Sequence, residues 1–326
     1  MTTENIARSP QIGGHTDGVL ATEDDMLLIK QALPVELQFY RAIAAASDPQ
    51  ITALRPWIPR FLGTLTLQGE IDPDAPTSET NIPVKPLSES SSSRNDNKDE
   101  FGFSLVLENL THPFSKPNIL DIKLGTVLYD ENAPPDKVAR MIKTAETTTT
   151  LRTGMRLTAF QVYDNASGDP VLTPKTYGKS ISAEQLPEGF ERFFPVAGTQ
   201  GLPAPLLLQI LELLREDVQD IRDVLADIEL RMIGASLLIL YESDAARAEE
   251  GIKWMLRDPD EDEQESEDED EDDEEEDGPP RPYDVRLIDF AHTRFTAGKG
   301  PDDGVLLGLD TILDQLDRRM AAVRSI

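Results

Sequence analysis

Residues 117–125 read PNILDIKLG, an alternation of apolar and polar side chains with an acid and a base two positions apart. In a strand, residues i and i+2 project to the same side, so Asp121 and Lys123 share a face while Ile122 and Leu124 point away from it. Pro117 limits the start of the strand, and Gly125 leaves room for a close approach where it ends. A surface ion pair is the ordinary outcome of such a pattern and contributes little. The flanking sequence decides between that outcome and a reactive site.

Upstream, VLATEDDMLLIKQA predicts strand, turn and strand, with Lys30 at the end of an apolar run. PVELQFYRAIAAA predicts a helix whose Leu37, Tyr40 and Ala44 face a core, and RFLGTLTL a further strand. The tract from about 70 to 100 is rich in Ser, Pro, Asp and Asn and is expected to be a disordered insertion. FGFSLVLENL is a buried strand running into a connector. Downstream, APPDKVARMIKTAETTTT predicts a helix opened by Pro134 and Pro135, with Lys137, Arg140 and Lys143 on one face. GMRLTAFQVYD and KTYGKSI are expected as strands around a turn at NASGDP. APLLLQILELLREDVQDIRDVLADI is the clearest amphipathic helix of the chain. RMIGASLLILYES and YDVRLIDFAHT are expected as strands, and a last helix from Asp310. Strands with one helix, a connector, then strands and long helices predict a two-lobed α+β enzyme with a cleft between the lobes. The lobes would divide at about residue 110, into 1–110 and 111–326.

Composition narrows the function. The 326 residues carry a formal charge of −30, and residues 258–277 hold 17 acids and no base. An acidic chain without a basic stripe argues against nucleic acid as a direct partner. The absence of cysteine excludes disulfides, thiolate nucleophiles and Cys-type zinc sites, and three scattered histidines make no metal site. The start, MTTENIARSPQIGGHTDG, has no apolar core of a secretory signal, and no apolar run approaches the ~20 residues of a membrane span. A soluble protein of the nucleus and cytoplasm is expected, with nothing that demands more than a monomer.

VRLIDFAHT places Asp289 directly after an apolar strand, in the manner of the metal-holding Asp-Phe-Gly element of protein kinases. Lys30, followed by Glu36 on the next helix, has the order of a phosphate-binding strand lysine and its partner. GGHTDG is not a G-x-G-x-x-G loop, there is no Walker A sequence, and no His-Arg-Asp catalytic loop is present. The work of that missing loop falls to Asp121 and Lys123.

Here the chain resembles the inositol polyphosphate kinase family. PNILDIKLG matches the family signature P-x-x-x-D-x-K-x-G, and ASLLILYE, LIDFAHT, ELQFY, LENLTHPFSKP and YGKSI resemble further family segments in order. The resemblance implies a protein-kinase-like bilobal fold with ATP in the cleft and Mg²⁺ at the phosphates. It implies that Lys30 meets the nucleotide phosphates, that Glu108 and the Leu110 backbone hold adenine, and that Asp121 binds ribose or orders the site. Lys123 would bridge the γ-phosphate and the substrate hydroxyl, and Asp289 would hold the metal with Ser236 as helper. Substrate contacts would come from His292, from Lys137 on a substrate helix at about 134–150, and from Lys179. Arg140 and Lys143 extend the same cationic face, as a polyphosphorylated ring requires, or else form a solvated helix face.

The short substrate region and the acidic tract before LIDF resemble fungal inositol polyphosphate multikinases. Hexakisphosphate kinases share the short region, and a transcription-associated scaffold with a vestigial kinase fold is the non-enzymatic alternative. The acidic tract, a loop at about 258–280, is either a solvated connection or a docking segment for basic transcription factors.

Overall fold

The computed structural model describes residues 19–65, 103–198, 201–257, 279 and 281–326, and the backbone of two strands at 69–71 and 84–86. The first two strands, β1 (Val19–Ala21) and β2 (Leu27–Gln31), form a hairpin whose turn is tied by the Thr22 hydroxyl to Asp24. Helix α1 (Pro34–Ala45) follows, with proline in its first turn where a missing N–H costs nothing. It buries Glu36, Leu37, Phe39, Tyr40 and Ile43. Ile43 rather than the expected Ala44 faces the core, because the buried stripe drifts with the 3.6-residue turn. A short helix α2 (Pro49–Thr52) leads to β3 (Phe61–Leu65). Within the tract expected to be disordered, β4 (Gly69–Ile71) and β5 (Val84–Pro86) pair with each other. The rest of that insertion, GGHTDG and the acidic tract at 258–277 lie outside the described residues. With β6 (Ser104–Glu108), the first sheet has the order β1-β2-β6-β3, antiparallel throughout.

Asn109 fastens the connector that follows. Its backbone N–H donates to Met26 O and its side-chain amide to Asp25 O, so the segment leaving β6 is pinned to the β1–β2 turn. The signature strand β7 (Pro117–Leu124) then enters the centre of a second sheet. Helices α3 (Pro135–Glu146) and α4 (Thr150–Thr153) separate it from β8 (Met155–Tyr163) and β9 (Pro170–Thr173). Residues 175–180, expected as a strand, are instead helix α5 (Lys175–Ser180). The physical reason is packing: a Cβ on Gly178 would stand 1.8 Å from Leu157 O, so this turn of helix lies backbone to backbone on β8.

Helices α6 (Leu186–Phe193) and α7 (Ala204–Ala226) supply the main apolar bulk. The expected single strand after α7 is two, β10 (Leu230–Ile233) and β11 (Ser236–Glu242), because Gly234 takes a left-handed φ of 79° and breaks the run. After α8 (Ala245–Met255), β12 (Tyr283–Ile288) and β13 (His292–Phe295) are likewise separated, at Asp289 with φ 65°. The last helix, α9 (Asp303–Arg324), begins seven residues before the expected Asp310, where Asp302 caps it by accepting from the Gly304 and Val305 N–H groups.

The second sheet runs β12-β11-β7-β8-β9, so the signature strand is flanked on both sides. Helices α7 and α9 pack on each other and cover one face of it with Leu207, Ile210, Leu214, Ile221, Leu309, Ile312 and Leu316, all fully buried. The packing is closest where Gly154, at φ 65°, meets α9: a Cβ on Gly308 would lie 2.3 Å from Gly154 O. Gly154 O also accepts from Gly125 N at 2.8 Å, locking the end of the signature strand to the start of β8. The two sheets join through aromatic packing, with Phe39 of α1 stacked on Phe290 at 4.4 Å and Tyr40 edge-on to the same ring.

Candidate active site

The centre of the site is one carboxylate held by two lysines from different sheets. Asp289 Oδ1 accepts from Lys30 Nζ at 3.1 Å, and Oδ2 from Lys123 Nζ at 2.7 Å. Lys30 also binds Glu36 Oε1 at 2.8 Å, and Lys123 donates to Gly234 O at 3.0 Å. Local structure explains each position. The left-handed residue Asp289 turns the chain out of β12 and points its carboxylate into the cleft, while Phe290 is anchored under α1. Asp tolerates this conformation better than a branched residue would.

Burial alone would favour a protonated Asp289, but Lys123 and Lys30 outweigh it and hold the carboxyl well below the ordinary carboxylate range. Lys30 loses solvent, which disfavours its charge, yet Asp289 and Glu36 leave its pKa raised. Asp121 differs. Burial pushes its carboxyl up, with the Lys123 charge offsetting part of the shift. Its Oδ1 and the Ser236 Oγ are buried and have no hydrogen-bond partner among the described residues. The expected same-face pair of Asp121 and Lys123 is therefore no surface ion pair: the lysine reaches across to Asp289 and the acid is buried beneath.

The structure brings Lys30, Glu36, Asp121, Lys123, Ser236 and Asp289 into this one cluster. Glu108 closes β6, where it exchanges two hydrogen bonds with the Arg60 backbone, and Leu110 follows it on the connector. Leu110 packs with Ile119 and Leu240, and half-buried Phe114, Leu238 and Ile288 complete a small apolar patch next to the charged centre. A flat heterocyclic base needs such a surface, and the connector backbone offers polar edges. His292 pairs through Nδ1 with Asp130 at 3.3 Å, and Arg294 ties the same loop through Glu131 at 2.8 Å. Neither Asp130 nor Arg294 stood out in the sequence, since their partners lie more than 150 residues away.

Lys137, Arg140 and Lys143 lie along α3, with Arg140 and Lys143 exposed, and Lys179 is exposed on α5. No hydrogen bond or ion pair links these four side chains to the central cluster among the described residues. Likewise, no group of three or more His, Asp or Glu side chains could hold a metal unaided among those residues. A divalent cation would take oxygen from Asp289 and the unpaired Ser236 hydroxyl, and the rest from phosphates and water, which is the habit of Mg²⁺. The residues present fit that role.

Two antiparallel sheets meeting at a lysine–aspartate–lysine bridge, beside a small apolar cluster, define a phosphotransferase of kinase-like construction. The chain belongs to the inositol polyphosphate kinase family, whose model matches residues 104–317. It is 36% identical to the inositol polyphosphate multikinase of Saccharomyces cerevisiae over 92% of this chain and 94% of that protein. The multikinase of Schizosaccharomyces pombe is 28% identical over 71% of this chain and 77% of that protein. Mouse inositol hexakisphosphate kinase 3 is 30% identical over 64% of this chain, which spans 49% of that protein. Among solved structures, S. cerevisiae Ipk2 in complex with ADP and Mn²⁺ superimposes with a TM-score of 0.62 at 29% identity, over 90% of this chain and 99% of that one.

Proposed function

We propose that this chain is an ATP-dependent inositol polyphosphate multikinase that phosphorylates ring hydroxyls of inositol tris- and tetrakisphosphates with Mg²⁺. The observation that carries the proposal is the Asp289 carboxylate gripped by Lys30 from one sheet and Lys123 from the other. Two ammonium groups converging on one anion are what a transferring phosphoryl group needs, because such transfer depends on positioning and charge neutralisation. Lys30, steadied by Glu36, would hold the nucleotide phosphates, and Glu108 and Leu110 the base. Lys123 would span the γ-phosphate and the acceptor oxygen, donating hydrogen bonds as charge moves onto the transferred group. Asp121 would order that lysine from below. A metal held by Asp289 and Ser236 would neutralise phosphate charge. Lys137, Arg140, Lys143, Lys179 and His292 would take the ring phosphates.

The multikinase reading is favoured over a hexakisphosphate kinase because the likeness to the S. cerevisiae multikinase runs nearly end to end, whereas the chain spans about half of the hexakisphosphate kinase compared. Purified protein with ATP and either inositol trisphosphate or hexakisphosphate separates the two. Turnover on the trisphosphate, abolished by Lys123→Ala with the melting temperature unchanged, is the expected result. Near-normal turnover of that variant would remove Lys123 from the chemistry, and an inert wild-type protein would leave the scaffold reading. The proposal extends to a monomer of nucleus and cytoplasm whose acidic tract docks basic transcription factors. Deleting residues 258–277 should then abolish capture of such partners and leave turnover intact.

A further inference from the structure

Arg156 has no part in the roles described so far. It is the second residue of β8, and the ladder sets it directly across from Lys123, while Ser236 of β11 faces Lys123 from the other side. Residues opposite one another in a ladder project to the same face. Arg156, Lys123 and Ser236 therefore form a row across three strands, and Asp121 stands one pleat further along β7.

Three atoms of this group are buried without a hydrogen-bond partner among the described residues: Asp121 Oδ1, Ser236 Oγ and Arg156 Nη1. Buried polar atoms are nearly always paired, so three strays on adjoining strands mark a site that sacrifices stability to something else. The charges explain what. Lys30 answers Glu36 and Asp289, and the Lys123 ammonium is taken by Asp289 and Gly234 O. Asp121 is then a buried carboxylate with no ion pair among the described residues, and Arg156 is the second cation whose field reaches it. A guanidinium keeps its charge at any working pH.

We infer that Arg156 is a positioning residue for phosphoryl transfer, its fixed charge holding Asp121 so that the Lys123 ammonium stays directed at Asp289 and the reacting oxygens. The inference rests on the kinase function proposed above. Lys123 is already the cation that acts most strongly on Asp121, so with an apolar side chain at 156 its ammonium is drawn between that acid, two residues away on the same face, and Asp289. The ammonium then folds back on the buried acid and leaves the transferring group unattended. Substrate binding, carried by other residues, is spared, so the loss falls on kcat.

The test uses full-length Arg156→Met, Arg156→Lys, Asp121→Asn and the Arg156→Met/Asp121→Asn double variant, with ATP and inositol trisphosphate varied in turn. The expected result for Arg156→Met is a kcat at least about tenfold lower, with both KM values within about twofold of wild type. Arg156→Lys should recover most of that loss, and Arg156→Met should add little to Asp121→Asn, since the first acts through the second. A kcat unchanged in Arg156→Met overturns the inference. So does a loss confined to the KM for inositol trisphosphate, which would make Arg156 a direct ligand. A loss that tracks the folded fraction and is not rescued by lysine would make it merely structural. Wild-type protein without turnover would remove the kinase reading and the inference together, whereas an active wild type beside an unaffected Arg156→Met removes the inference alone.

Discussion

Replacing Lys30 by methionine should damage stability through Glu36 more than through Asp289. Asp289 keeps Lys123 as a partner at 2.7 Å, but the Glu36 carboxylate has Lys30 as its ion-pair partner among the described residues. The Glu36 side chain is 2% exposed and that of Lys30 22%. Removing one member of a buried pair costs about 3–5 kcal/mol because a charge is left uncompensated, and the partial exposure of Lys30 places this case near 3. With a urea m-value of about 3 kcal/mol/M, the unfolding midpoint should fall by about 1 M. The companion variant Lys30→Met/Glu36→Leu removes both charges and fills the site with apolar volume, and should return to within about 1 kcal/mol of wild type. Urea titration followed by tryptophan fluorescence measures all three proteins. The reasoning is refuted by a single variant within about 0.5 kcal/mol of wild type, or by a double variant less stable than the single. Both variants should also lose nucleotide affinity, which separates the shared functional loss from the stability difference.

Asp289→Asn should abolish metal-dependent turnover, since a neutral amide is a poor ligand for a hard cation, and a magnesium titration of activity checks it. The same variant should change the acid limb of stability. Because burial of Asp289 is outweighed by Lys123 and Lys30 and its carboxyl is held below the usual range, its contribution is full above about pH 4 and is lost as pH falls further. Asp289→Asn should therefore lose stability at neutral pH, and the gap to wild type should begin to narrow only as pH falls below about 4, which melting curves between pH 7 and about 2 would show. Gly308→Ala would drive a Cβ to 2.3 Å from Gly154 O, where backbone cannot yield, and should cost at least about 1–3 kcal/mol by calorimetry. Lys137→Ala should raise the KM for inositol trisphosphate about tenfold and leave that for ATP unchanged, the loss of one charge-assisted contact in steady-state kinetics.

What the sequence made legible was local or carried by signature. The alternation in PNILDIKLG located the central strand, and Asp289 after an apolar run located the turn that brings the carboxylate to Lys30. The period of residues 204–226 announced the long helix. The failures share a cause in tertiary packing. KTYGKS became helical because Gly178 permits contact with β8, which no local propensity reports. The cap at Asp302 was visible in principle, as an aspartate before a run of apolar periodicity, but the expected helix began only at Asp310. Arg156 was the one charged residue of β8. Its meaning came only from the register that sets it against Lys123.

The bridge between Lys30 and Asp289 spans 259 residues of chain. On a ribosome adding about 5–20 residues per second, Lys30 would wait roughly 10–50 s for its partner. For all that time α1 would lack Phe290 and Phe295, so the ring of Phe39 would be without its cover, while Tyr40 has Phe61 beside it. Long-range closure of this kind makes folding slow and leaves sticky intermediates open to association. The same contact that assembles the reaction centre thus makes the newborn chain a client for chaperones, with Phe39 as the surface they would shield until Asp289 and Phe290 arrive.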